Sequence, residues 1–181
     1  MKLKKWKPGR KWLRISTIDV HTEGEPLRVV IEGFPELPGK TILARRRYAM
    51  NNFDQLRTAL MWEPRGHADM YGCILTSAVT PGADFGVLFM HNEGFSTMCG
   101  HGIIGLATVA VQTGWLRAKE PETIIKIDTP AGLVTAHARV ASGRVKSVYF
   151  QNVPSFVLAM DETVHVPGLG NTRYDLAFGG A

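Results

Sequence analysis

The chain has 181 residues, 45% of them hydrophobic and 20% charged, enough apolar material for one globular domain with a real core. Two cysteines exclude a disulfide scaffold. The longest apolar run, Ile103 to Val111, is broken by Gly105 and Thr108 and falls far short of the ~20 residues a bilayer requires.

The formal net charge of +5 is concentrated at one end. Lys2, Lys4, Lys5, Lys7, Arg10, Lys11 and Arg14 precede any acid, and without them 14 basic residues face 16 acidic ones. A basic face for nucleic acid is therefore not supported, and only a short basic tail remains, read as a solvated end. No apolar stretch follows it as a secretory signal would require, so the expected compartment is the cytoplasm, with no membrane partner.

Leu13 to Val20 and Leu27 to Glu32 read as strands separated by His21-Thr22-Glu23-Gly24-Glu25-Pro26, whose Gly and Pro suit a tight connection. Gly33 to Gly39 reads as a loop. From Thr41 to about Leu60 the spacing of Ile42, Leu43, Tyr48, Phe53, Leu56 and Leu60 predicts one or two helices, stopped by Pro64. Strands are expected at Met70 to Thr76 and Phe85 to His91, and Asn92 to Met98 reads as a polar loop. Gly102 to Gln112 is apolar on almost every side and closed by Gly114, the pattern of a helix buried at the centre of a domain. Strands follow at Thr123 to Asp128, Leu133 to Val140, Lys146 to Gln151 and Ser155 to Leu158, then at Thr163 to Val166 and Thr172 to Leu176. The fold class is α+β, a strand-rich sheet around one buried helix.

The segment with chemical content is Asn92 to Gly102, which puts Cys99, Gly100, His101 and Gly102 at the head of that helix. Backbone N–H groups of Gly100, His101 and Gly102 lack helical partners and can hold a carboxylate. The positive end of the helix dipole favours a thiolate at Cys99, and the flanking glycines let a small substrate approach the backbone. A base beside a carboxylate cradle is what removing the Cα proton of an α-amino acid requires. Cys73, in the apolar run Tyr71 to Leu75, reads instead as a small buried hydrophobe.

Two other chemistries share the segment. Gly100-x-Gly102-x-x-Gly105 formally matches a dinucleotide fingerprint, with Glu120 or Glu122 near the acidic position, but a loop rather than a strand precedes it. A metal site from His67, His91, Cys99 and His101 fits no tight ligand spacing. His21, His137 and His165 read as structural.

Three stretches resemble the proline racemase family, which includes proline racemases, 4-hydroxyproline epimerases and trans-3-hydroxy-L-proline dehydratases. They are Ile18 to Pro26, Glu63 to Gly72 and, most specifically, His91 to Gly102. The resemblance runs from Ile15 to Ala181 and is to the family's amino-terminal half; Leu43 to Tyr48 and Leu60-Met61-Trp62 look most similar to the dehydratase branch. It implies one half of a diaminopimelate-epimerase-like fold, with substrate held between two such halves. It further implies that Cys99 is a cofactor-independent base at Cα of proline or a hydroxyproline, and that Gly100 and His101 bind the substrate, the imidazole lying near its ring nitrogen; no metal is implied. The family's second half carries a Cys-Gly-Thr or Thr-Gly-Thr segment that separates racemases and epimerases from dehydratases, and nothing in this chain matches it.

The expected organisation is therefore a basic tail at 1–14, the amino-terminal domain at 15–160, and at 161–181 the start of a second, incomplete domain. The expected activity is that of a trans-3-hydroxy-L-proline dehydratase, with proline racemase or 4-hydroxyproline epimerase as the alternative. A third reading is an inactive binding or assembly module whose open face makes it a homodimer.

Overall fold

The computed structural model describes Lys7, Gly9 and residues 11–181, so the basic-tail expectation falls largely outside the described residues. Strands β1 (Ser16–Thr22) and β2 (Glu25–Glu32) form an antiparallel hairpin. β3 (Tyr71–Thr76) joins β2 in parallel, a pairing that requires a crossover. Helices α1 (Ile42–Asn52) and α2 (Asp54–Met61) make that crossover. β4 (Phe85–His91) lies antiparallel to β3, and β5 (Gly94–Ser96) folds back onto β4. The long helix α3 (Gly100–Gln112) then carries the chain to β6 (Glu122–Thr129), parallel to β4. β7 (Gly132–Ala141) and β8 (Arg144–Gln151) complete the order β1-β2-β3-β4-β6-β7-β8. Both ends of the sheet, β1 and β8, pack on α3. The sheet therefore curls around that helix, as its all-round apolar character requires.

Strand β4 explains the layering. Phe85, Val87 and Phe89 face α3 and pack with Ile103, Leu106, Ala107 and Ala110. Leu88 and Met90 point the other way, into a second cluster with Ile42, Ala49, Leu60 and Met61 from the α1–α2 layer. A strand covered on both faces reads as an unbroken apolar run, which is what Phe85 to Met90 is.

Several elements differ from the sequence expectation. The first strand begins at Ser16, not Leu13. The helical stretch, expected as one or two helices, is two, and the sequence did not place their junction at Phe53, whose φ of −133° ends α1; its ring packs edge-on against Phe34 and Tyr48. Asn92 to Met98 contains β5, with Phe95 buried in the second cluster. Ser155–Leu158 and Thr163–Val166 belong to one strand, β9 (Phe156–Val166), in which Asp161 takes a φ of 57°. That local irregularity breaks the alternation. β9 pairs only with β10 (Gly170–Phe178) in a separate two-stranded sheet, and position 160 lies within β9. Phe156, Val157, Leu158 and Met160 on β9 are each more than half exposed.

Candidate active site

Cys99 is the N-cap of α3, with extended backbone, and its carbonyl accepts from Ile103 N–H at 2.9 Å. Its side chain does not cap the helix, and no acidic residue occupies the first turn. No carboxylate of α3's own first turn therefore offsets the positive end of the helix. The amide of Gly102 donates to the Cys99 sulfur. A Cβ on Gly102 would lie 2.6 Å from the Phe89 ring and 3.0 Å from Cys99 Sγ, so glycine is needed there for the sulfur to settle over the helix start. A Cβ on Gly105 would lie 3.3 Å from Val20 and 3.4 Å from Leu27, a milder constraint. Gly102 and Gly105 of the formal dinucleotide pattern thus serve the seat of the sulfur and helix-to-strand packing.

The three residues expected to form the site come together. Cys99 Sγ lies 3.4 Å from His101 Nδ1, and His101 Nε2 lies 3.2 Å from the carbonyl oxygen of Pro26. A carbonyl only accepts, so Nε2 carries the ring proton and Nδ1 of the neutral imidazole is free to accept from the thiol. The imidazole is engaged by Cys99 and Pro26, and Thr22 Oγ1 donates to the His101 carbonyl at 3.0 Å.

The electrostatics of the thiol run against the sequence expectation. Burial pushes Cys99 up to about 11, the Gly102 N–H opposes this, and the charge of Glu25 adds to it. Desolvation of the anion outweighs the helix terminus, and the resting group is a thiol with an acceptor beside it. Cys73, fully buried on β3, is raised further by burial and has no such partner among the described residues.

Sequence reasoning gave no role to Tyr71 or Glu25 and weighed His91 only as a metal ligand, although all three lie inside the stretches singled out. The Tyr71 ring stands edge-on to His101 at 4.8 Å and tilted against His91 at 5.4 Å. Burial, then the charges of Cys99 and Glu25, raise its phenol above the usual range. Glu93 N–H donates to His91 Nδ1 at 3.2 Å, leaving Nε2 as the protonated nitrogen of the neutral ring. A cavity of about 380 Å³ opens here, lined by Trp62, Asp69, Tyr71, His91, Asn92 and Glu93. His67, by contrast, turns its Nδ1 to the Ala68 carbonyl, and among the described residues no group of three or more His, Cys, Asp or Glu converges as a metal would need.

The turn that feeds this site is clamped from α2. The buried Arg57 guanidinium donates to the carbonyls of His91, at 2.9 Å, and Asn92, while pairing with Asp54 at 2.6 Å. Trp62 Nε1 donates to the Asn92 carbonyl at 2.9 Å. The Asn92 amide donates to the carbonyls of Met61 and His67, both at 2.9 Å. No helix among the described residues is long and apolar enough to cross a membrane.

The family profile described as "Proline racemase" matches residues 17–181. The chain is 50% identical over 167 residues to a trans-3-hydroxy-L-proline dehydratase of Burkholderia ambifaria, covering 92% of this chain and 50% of that protein. It is equally similar, 50% over 167 residues with the same coverage of 92% and 50%, to a 3-hydroxyproline 2-epimerase of Burkholderia multivorans. The crystal structure of a hydroxyproline epimerase from Agrobacterium vitis with bound trans-4-hydroxy-L-proline superposes with a TM-score of 0.81 at 33% identity, over 92% of this chain and 49% of that one. The chain thus spans about half the length of the curated relatives it matches. The strand-rich, diaminopimelate-epimerase-like architecture expected from the sequence is the one these structures share. With its profile match, its relatives and its fold in agreement, the chain belongs to the proline racemase family.

Proposed function

We propose that this chain supplies the Cα-deprotonating side of a cofactor-independent enzyme acting on a cyclic imino acid, and that the reaction is dehydration of trans-3-hydroxy-L-proline. The observation that carries the reading is the Cys99–His101 pair, 3.4 Å apart at a helix N-terminus whose first turn holds no acidic residue. The substrate carboxylate would lie on the N–H groups of Gly100 and His101. His101 Nδ1 takes the thiol proton, and the thiolate so formed removes the proton from Cα. Negative charge then develops toward the carboxylate, where the helix N–H groups face it. Exclusion of water by the second half of the enzyme would strengthen each of these interactions. We assign the hairpin of β9 and β10 to that side of the molecule, because its exposed apolar side chains find no cover among the described residues.

The test is hydrogen exchange at Cα in heavy water with L-proline, trans-4-hydroxy-L-proline and trans-3-hydroxy-L-proline, with and without iodoacetamide. Exchange that disappears on alkylation supports Cys99 as the base; exchange that survives refutes it. Formation of a cyclic imine from the 3-hydroxy substrate marks the dehydratase. The second reading is epimerisation, favoured by the equal identity to the Burkholderia multivorans epimerase, and accumulation of the cis isomer without water loss would mark it. A chain that exchanges nothing and self-associates through the hairpin would instead fit a non-catalytic assembly module.

A further inference from the structure

Dehydration of a trans-3-hydroxy-L-proline has a stereochemical consequence for this half of the molecule, resting on the dehydratase reading above. In that substrate the carboxylate and the 3-hydroxyl lie on opposite faces of the ring. The Cα hydrogen is opposite the carboxylate, so it shares a face with the hydroxyl. Loss of water is therefore a syn elimination, and the group that protonates the departing hydroxyl must stand on the same side of the ring as the base. It belongs beside Cys99.

Several polar groups beside Cys99 are already engaged. Both nitrogens of His101 are engaged, with Cys99 Sγ and with the Pro26 carbonyl. The Thr22 hydroxyl donates to the His101 carbonyl. Glu25 bears on Cys99 and Tyr71 as a negative charge. Tyr71 stands against the Cys99–His101 pair with its hydroxyl unengaged: its ring is held between His101 and His91, and among the described residues no hydrogen bond ends on its hydroxyl. It also lines the cavity that opens beside His91 and Trp62. We infer that the Tyr71 hydroxyl is the proton donor to the leaving 3-hydroxyl group, a catalytic residue acting on the same ring face as Cys99.

The step balances without any redox partner. The Cys99 thiolate takes the Cα proton, the C–H electron pair forms the Cα–C3 double bond, and the C3–O bond breaks. The departing hydroxide takes the phenolic proton and leaves as water. The phenolate then recovers the proton that Cys99 gained, which restores both groups, and the ring enamine tautomerises to a cyclic imine. A phenol is a far stronger acid than water, whose pKa is about 15.7, so the transfer to hydroxide runs downhill. Burial keeps the phenol protonated at neutral pH until that moment.

The experiment is Tyr71→Phe in heavy water, following water loss and Cα deuteration separately. Phenylalanine keeps the ring packed on His101 and His91, and exchange of L-proline, which has no leaving group, reports that the base and the carboxylate cradle still work. We expect the ratio of elimination to exchange on trans-3-hydroxy-L-proline to fall about a hundredfold or more, the usual contribution of a general acid, with L-proline exchange persisting. An unchanged ratio would overturn the assignment and make the newly formed Cys99 thiol the donor. Parallel loss of elimination and of L-proline exchange would also overturn it, leaving Tyr71 a packing residue. A wild-type protein that neither exchanges nor dehydrates would remove the dehydratase reading itself, and this assignment with it.

Discussion

Cys99 Sγ and His101 Nδ1 lie 3.4 Å apart, two residues from one another on the opening turn of α3. The second nitrogen of that histidine is held by the Pro26 carbonyl, which comes from 75 residues earlier in the chain. The β1–β2 hairpin therefore sets which proton the imidazole carries, and so whether it accepts from sulfur.

The raised thiol makes stability fall in alkali. An unfolded cysteine titrates near 8.5, whereas Cys99 in the fold is pushed up to about 11. Between those values the native state holds a proton that the unfolded chain has released, so unfolding becomes easier as pH rises, by about 1.4 kcal/mol per pH unit for this one group. Cys73 is raised by burial as well and adds to the slope. Chemical denaturation at a series of pH values above 8 should show the decline, and Cys99→Ser should remove part of it without abolishing it.

Glu25→Gln should lower the titration of Cys99, because the negative charge of Glu25 is one of the two influences that raise it. The pH dependence of iodoacetamide alkylation, or of thiolate absorbance in the ultraviolet, reads this directly. A midpoint that rises or stays fixed would refute the coupling.

The two glycines at the helix start should behave differently. Gly102→Ala drives a methyl to 2.6 Å from the Phe89 ring and 3.0 Å from the sulfur, an overpacking worth about 1–3 kcal/mol. Gly100→Ala meets only the Phe150 ring, at 3.4 Å, so its melting temperature should stay close to wild type while binding of a carboxylate ligand weakens. Thermal melts with and without pyrrole-2-carboxylate compare the pair.

Arg57→Met should cost about 2–4 kcal/mol, because it strands the carbonyls of His91 and Asn92 in a buried turn. Asp54→Asn should cost under about 1 kcal/mol, since that carboxylate is half exposed. Equal costs in urea denaturation would mean that the ion pair, rather than the carbonyl clamp, is what α2 contributes.

The parts of this fold that were legible in the sequence are those whose environment is uniform along a segment. β4 is covered on both faces and α3 on most of its circumference, so their runs of apolar residues identified them. The sequence allowed one or two helices but did not place the break at Phe53, because its cause is tertiary, the packing of that ring on Phe34 and Tyr48. The candidate site divides in the same way. Cys99, Gly100 and His101 are neighbours in sequence, and their chemistry could be read locally. Tyr71 and Glu25 reach the thiol only through the pairing of β1, β2 and β3, which no local pattern encodes. The helix terminus is likewise a local feature, whereas the burial that overrides it at Cys99 comes from distant strands, and the direction of the thiol shift was misjudged for that reason.

Leu88 and Phe89 are consecutive residues that belong to different cores, one facing the α1–α2 layer and the other α3. Neither core can loosen without moving the strand that walls off the other. The two layers should therefore melt in a single cooperative transition, and the amides of Val87 to Met90 should exchange with solvent only through global unfolding, the last in the molecule to do so.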